Sequence, residues 1–203
     1  MNNVSPTRER LRAAALLLFV EKGVAETTTR ALAAAAGVAE GTIYRHYQSK
    51  DELVHELFKD HYFRFGSELN RVRAETVGGI AEKLQAMVAY MTGLYDSDPT
   101  LYRFLLLAQH TALPNIANAL PTSPASVFRR LVTDAVASGE IPAQNATLTA
   151  SMLIGAIIQP ALALVYGTLE GTMTGFAPEI VARGLALLQH RAGMKQGQKE
   201  VRP

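Results

Sequence analysis

The sequence predicts an all-α protein of about nine helices, with a small N-terminal unit followed by a larger helical region. Apolar residues recur at helical spacing along most of the 203-residue chain. Glycine, proline and Asp/Ser clusters interrupt these stripes where helices must end. No pair of alternating apolar runs joined by a short turn indicates a β-hairpin. We therefore expect helix packing alone to build the core.

The first three predicted helices are short and closely spaced. The first carries an apolar stripe from Leu11 to Phe19 and ends at Gly23. The second begins after a threonine at position 27 or 28, whose hydroxyl can cap the first turn. It stops at Gly37, because glycine adopts the left-handed backbone without steric cost. A short third helix follows, and this layout is that of a helix-turn-helix DNA reader.

The third predicted helix has one face that suits a DNA major groove. Ile43 and Tyr47 are four residues apart and point inward together. Gly41, Thr42 and Arg45 then face the opposite way, with Tyr44 and His46 on the flanks. Threonine can hydrogen-bond or touch a thymine methyl group, and arginine can pair with guanine or phosphate. The sequence therefore predicts base contacts from this helix.

Charged residues at two helix starts extend this interpretation. Ala39 cannot cap the third helix, but Glu40 either complements the helix dipole or accepts from a cytosine amino group. Ser49 and Glu52 form the capping-box pattern that begins a fourth helix. Lys50 lies in that first turn, where its charge opposes the dipole. We expect it to bind an anion, plausibly a DNA phosphate, with a solvated side chain as the alternative.

The remaining helices are predicted from periodicity and from their breakers. A long connecting helix runs from Ser49 through Leu69, and Pro160 is expected to kink the most apolar helix. Residues 112–124 are expected to form a loop, and a polar tail from Met194 is expected to be disordered. The other helices are predicted at 77–95, 101–110, 127–135, 146–169 and 180–191.

The segment from Arg8 to about Leu53 resembles the DNA-binding domain of the tetracycline-repressor-type (TetR) transcriptional regulators. The matching residues run without a gap: Ala14-Ala15, Leu18-Phe19, Glu21, Gly23, Thr28-Thr29, Leu32-Ala33, Ala36-Gly37-Val38, Gly41-Thr42-Ile43-Tyr44, His46-Tyr47, Ser49-Lys50 and Glu52-Leu53. The resemblance implies DNA contacts from Thr29, Arg30, Gly41, Thr42, Tyr44, His46 and Lys50. Thr28, Glu40 and Arg45 complete the predicted DNA-binding set. Arg8, Arg10 and Arg12 either reach phosphates or merely solubilise the first helix.

The resemblance also implies roles for the later helices, with a DNA-binding domain over 1–53 and a ligand-binding and dimerisation domain over 54–203. TetR-type regulators are homodimers that bind a palindromic operator, and their last two long helices pair with those of the partner. The predicted interface comprises Leu153, Ile154, Ile157, Ile158, Leu162, Val181, Leu185 and Leu188.

The middle helices of such regulators enclose a small-molecule pocket. The residues predicted to line it mix apolar bulk with a few polar tips, and are Met87, Tyr90, Met91, Tyr95, Tyr102, Phe104, Met152 and Gln159. Each of them can equally be ordinary core. Between Thr76 and His110 the only charged residues are Glu82, Lys83, Asp96, Asp98 and Arg103. We therefore expect a mostly apolar effector. A carboxylate effector is expected only if Arg103 points into the pocket and pairs with it.

Composition fits a regulator better than an enzyme. Hydrophobic residues make up 48% of the chain and charged residues 19%, which suggests an oligomer interface or a large pocket. The formal net charge is only +2, so any signal for DNA must be local. The chain has no cysteine, which fits a reducing cytoplasm, and no secretory signal is recognisable. No motif for phosphate, nucleophile or metal chemistry is present, and no cofactor or metal is predicted.

Two alternatives stay open from the sequence alone. The first is a DNA-binding regulator without a small-molecule ligand, gated by a protein partner. The second is a membrane-associated helical protein, because residues 145–169 carry no charge and are long enough to span a bilayer. Gln159, Pro160 and several hydroxyl residues in that segment favour burial at a dimer interface instead.

Overall fold

The computed structural model describes the backbone of residues 5–112 and 122–189, and the side chains of all of these except 109–112. Within these ranges the chain forms nine α-helices and no β-strand. The all-α prediction is therefore confirmed for the described part of the chain. The helices are α1 (Pro6–Lys22), α2 (Thr29–Ala36), α3 (Glu40–His46), α4 (Lys50–Glu75), α5 (Ile80–Ser97), α6 (Pro99–Ala112), α7 (Pro124–Ala137), α8 (Ala146–Val165) and α9 (Met173–Gln189).

Several predicted helix boundaries are wrong by one or two turns. The helix α5 begins at Ile80, because Gly78 adopts a φ of +121° just before it, and Val77 is left 93% exposed in the turn. The helix α8 ends at Val165, and α9 begins at Met173, well ahead of the predicted start at residue 180. The predicted polar tail and most of the predicted 112–124 loop lie outside the described residues.

Two helices begin on caps that come from elsewhere in the chain. The carboxylate of Asp96 accepts from the backbone N–H of Met173 at 3.0 Å and of Thr174 at 2.8 Å, at the start of α9. Glu140, just beyond α7, accepts from the N–H of Ile80 at the start of α5. These contacts satisfy orphan donors that the local sequence leaves free. They add to the local caps from Thr172, which accepts from the N–H of Gly175, and from Glu82, which accepts from the N–H of Gly79.

The N-terminal unit packs around its own apolar cluster. Leu11 and Leu32 are fully buried there, together with Ile43 of α3 and Leu53 and Phe58 of α4. The predicted domain boundary after residue 53 thus falls inside α4, whose first half belongs to this cluster. The unit is a bundle of three short helices packed on the first half of a long helix.

The larger unit packs α5 against α9 and α4, and α8 against α7 and α9. Its core includes the fully buried Met87, Phe128 and Leu188. Gly184 of α9 approaches closely, since a Cβ there would lie 3.0 Å from a Leu84 methyl and 3.2 Å from a Leu153 methyl. A small residue is therefore needed where α9 crosses α5 and α8.

The helix α6 joins the two units. It packs against α1 and α4 on one side and against α5 and α8 on the other. Phe104, Leu105 and Ala108 belong to the N-terminal cluster, whereas Tyr102 and Leu106 belong to the core of the larger unit. A displacement of this single helix would therefore be felt in both cores.

Candidate functional site

The turn between α2 and α3 has the geometry of a helix-turn-helix. The hydroxyl of Thr28 accepts from the N–H of Ala31 at 3.1 Å and caps α2, which confirms one of the two caps predicted from the sequence. Gly37 ends α2 in the left-handed conformation, with a φ of +65°. The N–H of Val38 then reaches back to the carbonyl of Ala33 at 3.0 Å. These contacts fix the angle between the two short helices.

The recognition helix α3 is anchored by one face and free on the other. Ile43 and Tyr47 are buried, at 0% and 1% exposure, as predicted. Gly41 and Arg45 are exposed, and Tyr44 is 57% exposed although it is a large aromatic residue. Thr42 and His46 are half-buried on the flanks. The predicted DNA-contacting side chains of α3 thus lie at the surface.

A hydrogen bond links the starts of α2 and α3. The hydroxyl of Thr29 donates to Oε1 of Glu40 at 2.8 Å, at an exposed position. Ala39 provides no side-chain cap for α3, as expected. The Glu40 carboxylate therefore sits at the positive end of α3 and is held there by Thr29. Arg30 is exposed beside this pair, and Thr28 is exposed with its hydroxyl oxygen on the helix cap.

The ammonium of Lys50 is bound by backbone carbonyl oxygens of the same chain. It donates to the carbonyl oxygens of Val24 at 2.7 Å, Thr27 at 2.9 Å and Ala25 at 3.2 Å. An ammonium has three donors, so these contacts use all of them. Backbone carbonyls in the turn between α1 and α2 thus satisfy the charge of this ammonium, while the phosphate contact of the side chain stays a prediction.

The arginines of α1 also have protein partners. Arg8 forms an ion pair with Glu56, donates to the hydroxyl of Tyr47 at 3.2 Å and lies over the Tyr47 ring. Arg12 forms an ion pair with Asp60 at 2.8 Å. Neither the phosphate contact nor the purely solubilising role considered for Arg8 and Arg12 describes them. They fasten α1 to α4 and so hold the reading unit on the connecting helix.

A cavity of about 290 Å³ lies among α4, α5, α6, α7 and α8. Its volume is at the lower end of the ~300–1,000 Å³ found for small-molecule pockets. None of the described residues that line it is charged. They are Tyr62, Phe65, Met91, Tyr102, Leu105, Leu106, Pro124, Ala125, Ser151, Ile154 and Ile158.

Only Met91 and Tyr102 of the predicted ligand-binding residues line this cavity. Met87 is fully buried in the core of the larger unit, and Phe104 packs in the N-terminal cluster. Three more predicted residues lie elsewhere, as follows. Tyr90 stacks on Phe65, and Met152 and Gln159 are exposed on α8. Tyr95 packs edge-on against Tyr102 without lining the cavity.

The lining residues that sequence analysis missed lie on α4, α6, α7 and α8. Tyr62 and Phe65 were recognised only as part of the apolar stripe of the connecting helix. Burial raises the pKa of Tyr62 and, more strongly, the pKa of Tyr102, so both are neutral phenols over the physiological range. The cavity thus offers aromatic and aliphatic surface with a few uncharged hydroxyl groups.

Three of the predicted dimer-interface residues are buried within a single chain. Leu153, Ile157 and Leu188 are at most 1% exposed and pack in the core of the larger unit. Ile154 and Ile158 line the cavity instead. Because α8 is apolar on nearly all sides, the spacing of its apolar residues does not show which face packs against the core. Leu162, Val181 and Leu185 are half-buried and remain predicted interface residues.

The outward face of α8 carries unpartnered apolar side chains. Leu148 is 55% exposed and Met152 is 50% exposed, and Tyr166 just beyond the helix is 67% exposed. Within the described ranges α8 alone is long and apolar enough to cross a membrane, with 28% of its most apolar stretch buried in the chain. Its inward face is nonetheless packed against α7 and α9.

The sequence comparisons place the reading unit in a known family. Residues 11–57 match the family model described as bacterial regulatory proteins, tetR family. This segment is therefore similar to the DNA-binding part of TetR-type regulators. The chain is 39% identical over 70 residues to the HTH-type transcriptional regulator YvkB of Bacillus subtilis, and this stretch covers 34% of the chain and 37% of YvkB. It is 36% identical over 53 residues to the HTH-type transcriptional repressor KstR2 of Mycolicibacterium smegmatis, covering 26% of each.

The whole fold also has counterparts among solved TetR-type structures. The transcriptional regulator FadR of Bacillus subtilis, solved in complex with stearoyl-CoA, superposes with a TM-score of 0.75 at 20% identity. The superposition covers 91% of this chain and 99% of the FadR chain. The likeness therefore extends from the reading unit through the larger helical unit.

Proposed function

We propose that this chain is a dimeric transcriptional repressor that a small, mostly apolar effector releases from a palindromic DNA operator. One observation carries the proposal: α6 contributes side chains both to the cavity and to the core of the DNA-binding unit. A ligand that changes the position of α6 therefore acts on the helices that read DNA. The match of residues 11–57 to the tetR family model and the similarity of the chain to the repressor KstR2 support the same conclusion.

The DNA-binding arm of the proposal rests on α3. Its exposed Gly41, Tyr44 and Arg45, with the half-buried Thr42 and His46, form the surface proposed to enter the major groove. Thr28, Thr29, Arg30 and Glu40 border it. For Lys50, only the backbone at the start of α4 is proposed to approach DNA, since helix N-termini attract phosphate.

The dimer arm rests on the outward faces of α8 and α9. Leu148, Met152 and Tyr166 expose apolar surface that a second copy of the chain would cover. The half-buried Leu162, Val181 and Leu185 lie on the same two helices. Burial between two copies also accounts for the long apolar helix of a protein that reads DNA in the cytoplasm. Two reading heads about 34–36 Å apart can then enter successive major grooves.

The effector class is proposed from the residues that line the cavity. The described lining supplies aromatic rings and aliphatic side chains but no cation. Stearoyl-CoA, which is bound in the FadR structure, joins a long apolar chain to a phosphate-bearing nucleotide. Phosphates would find no counter-ion in the described lining, and an unpaired buried charge is costly. We therefore favour an uncharged effector over an acyl-CoA.

Two measurements on the full chain test these arms. Selection from a pool of random double-stranded DNA is expected to enrich a palindrome with half-sites one helical turn apart or a multiple of it. Thermal-shift screening is expected to find neutral lipophilic stabilisers, because a ligand of the folded state raises its stability. A selection that enriches no DNA sequence would contradict the proposed sequence-specific DNA binding. Stabilisation by multiply charged compounds alone would contradict the proposed effector class.

A further inference from the structure

One hydroxyl group of the cavity makes no hydrogen bond to the described part of the chain. Tyr102 is 3% exposed and lines the cavity. No hydrogen bond within the described part of the chain involves its hydroxyl. The oxygen is not among the fully buried polar atoms without a partner, so it keeps some accessible surface. A bound molecule with a suitable acceptor can therefore gain a hydrogen bond from it. The group is therefore poised to donate to a bound molecule.

The ring of Tyr102 is held in place by its aromatic neighbours. The ring centroid lies 5.3 Å from that of Tyr95 and 6.2 Å from that of Phe65, and both contacts are edge-to-face. Such packing restricts the ring to one orientation. Because burial raises its pKa, the phenol keeps its proton and acts as a donor rather than a phenolate.

Of the two other hydroxyl groups in the described lining, one is already engaged and the other is less enclosed. The hydroxyl of Ser151 donates to the carbonyl of Thr147 at 2.9 Å, so its own proton is already used. Tyr62 is less buried than Tyr102 and stacks on Phe58 at 5.1 Å. No described lining residue carries a charge that would compensate a carboxylate or an amine. Tyr102 thus lines an uncharged space that the described residues surround mainly with apolar groups.

We propose that Tyr102 selects effectors that carry an uncharged oxygen acceptor, such as a ketone or ester carbonyl, on an apolar skeleton. This inference rests on the proposed function of the cavity as the effector site. At about 290 Å³, the space is roughly twice the ~150 Å³ cavity that holds benzene in other proteins. An aromatic ring bearing a short acyl chain is of suitable size.

Three probes of matched skeleton test the inference by isothermal titration calorimetry. Butyrophenone carries the ketone, butylbenzene replaces its carbonyl by a methylene, and 4-phenylbutanoate carries a charge. Each is titrated into the wild-type protein, into Tyr102→Phe and into Tyr90→Phe, the last being a matched control because Tyr90 does not line the cavity. Circular dichroism and the unfolding midpoint establish that both variants fold.

The expected result is a selective loss. Tyr102→Phe should weaken butyrophenone binding about five- to tenfold, the value of one neutral hydrogen bond, and leave butylbenzene binding unchanged or tighter. Tyr90→Phe should change neither, and 4-phenylbutanoate should bind more weakly than butyrophenone. Equal losses for ketone and hydrocarbon, tighter binding of the carboxylate, or no binding of either neutral probe to the wild type would overturn the inference.

A parallel measurement separates this inference from the function on which it rests. The affinity for the selected operator is measured with and without saturating butyrophenone. Ketone selectivity that depends on Tyr102 but leaves operator affinity unchanged would support the role of Tyr102 and contradict ligand-controlled release. A second outcome is that compounds release the operator while binding wild type and Tyr102→Phe with equal affinity. That result would support ligand-controlled release and contradict the role of Tyr102.

Discussion

The ring of Phe104 in α6 lies 6.4 Å, centroid to centroid, from the ring of Phe19 in α1 and 6.3 Å from that of Phe58 in α4. Phe104 is 2% exposed, so α6 inserts an aromatic side chain into the core of the DNA-binding unit. Its neighbours Leu105 and Leu106 line the cavity. Residues 104–106, within one turn of α6, thus contact both the core of the DNA-binding unit and the cavity. A ligand that moves α6 can therefore also move the DNA-binding unit.

The Lys50→Met substitution is expected to lower the free energy of unfolding by about 1–3 kcal/mol, because three carbonyl oxygens lose a charged donor. Urea unfolding measures the change, and Lys59→Met is the control, since Lys59 is exposed on the same helix without an ion pair in the described structure. The slope of operator affinity against salt should stay unchanged. A slope smaller by about one unit would instead indicate a phosphate contact by this side chain.

The Arg45→Ala substitution is expected to cost roughly 1–3 kcal/mol on the selected operator and less on random DNA, because an exposed arginine on α3 can pair with guanine. Fluorescence anisotropy against both DNAs at several salt concentrations measures the difference. The Lys59→Met variant serves again as a charge-matched control outside α3. Losses of equal size on the two DNAs would reassign Arg45 to a phosphate contact.

The Met152→Asp and Ile157→Asp substitutions should have opposite consequences although they lie on one helix. Met152 is 50% exposed on the outward face of α8, so a charge there should yield a folded monomer. Ile157 is 1% exposed, so an unpaired carboxylate there should unfold the chain. Sedimentation velocity and circular dichroism distinguish these outcomes. A Met152→Asp protein that sediments as the wild type would remove this face from the interface.

The Asp96→Asn substitution is expected to destabilise the protein at neutral pH by about 0.5–2 kcal/mol, as loss of a helix cap does. Burial pushes the pKa of Asp96 upward, but hydrogen bonds from Thr174 and Met173 outweigh it and hold the pKa below its ordinary value. The stabilisation is therefore present above the unfolded-state pKa near 3.8 and is lost as the pH falls through the lower folded-state pKa.

Unfolding free energies from pH 7 down to pH 3 test the Asp96 prediction. The difference between wild type and Asp96→Asn should be constant near neutrality and should shrink below about pH 4. Glu170→Gln, which changes an exposed carboxylate, is the control and should leave the curve unchanged. A difference that persists unchanged at pH 3 would mean that the charge of Asp96 does not stabilise α9.

Much of the fold could be predicted because short segments of the sequence determine where its helices form and end. The apolar stripes, the Thr28 cap and the left-handed Gly37 are all properties of short segments. The start of α9 was missed because, besides the local cap from Thr172, two of its N–H groups are held by Asp96, which is far away in the sequence. The partners of Lys50 are backbone carbonyls, and these leave no pattern of side chains to recognise.

The candidate site was only partly predictable for a related reason. Met91 and Tyr102 lie on helices with clear amphipathic stripes, and both line the cavity. Ile154 and Ile158 were assigned to a dimer interface because α8 is apolar nearly all round and shows no preferred inward face. Only the packing of α8 against α7 and α9 decides which side chains meet the cavity.

The measurement that tests the central claim most directly is operator affinity, by fluorescence anisotropy, with and without a ligand that calorimetry places in the cavity. The ligand is a neutral lipophilic compound taken from the thermal-shift screen. In the wild type, saturation is expected to weaken operator binding by roughly 5- to 150-fold, the usual range of coupling between sites. In Phe104→Leu, which loses the ring contact with Phe19, the ligand should still bind but the weakening should be smaller. An operator affinity that the bound ligand leaves unchanged in the wild type would contradict the account.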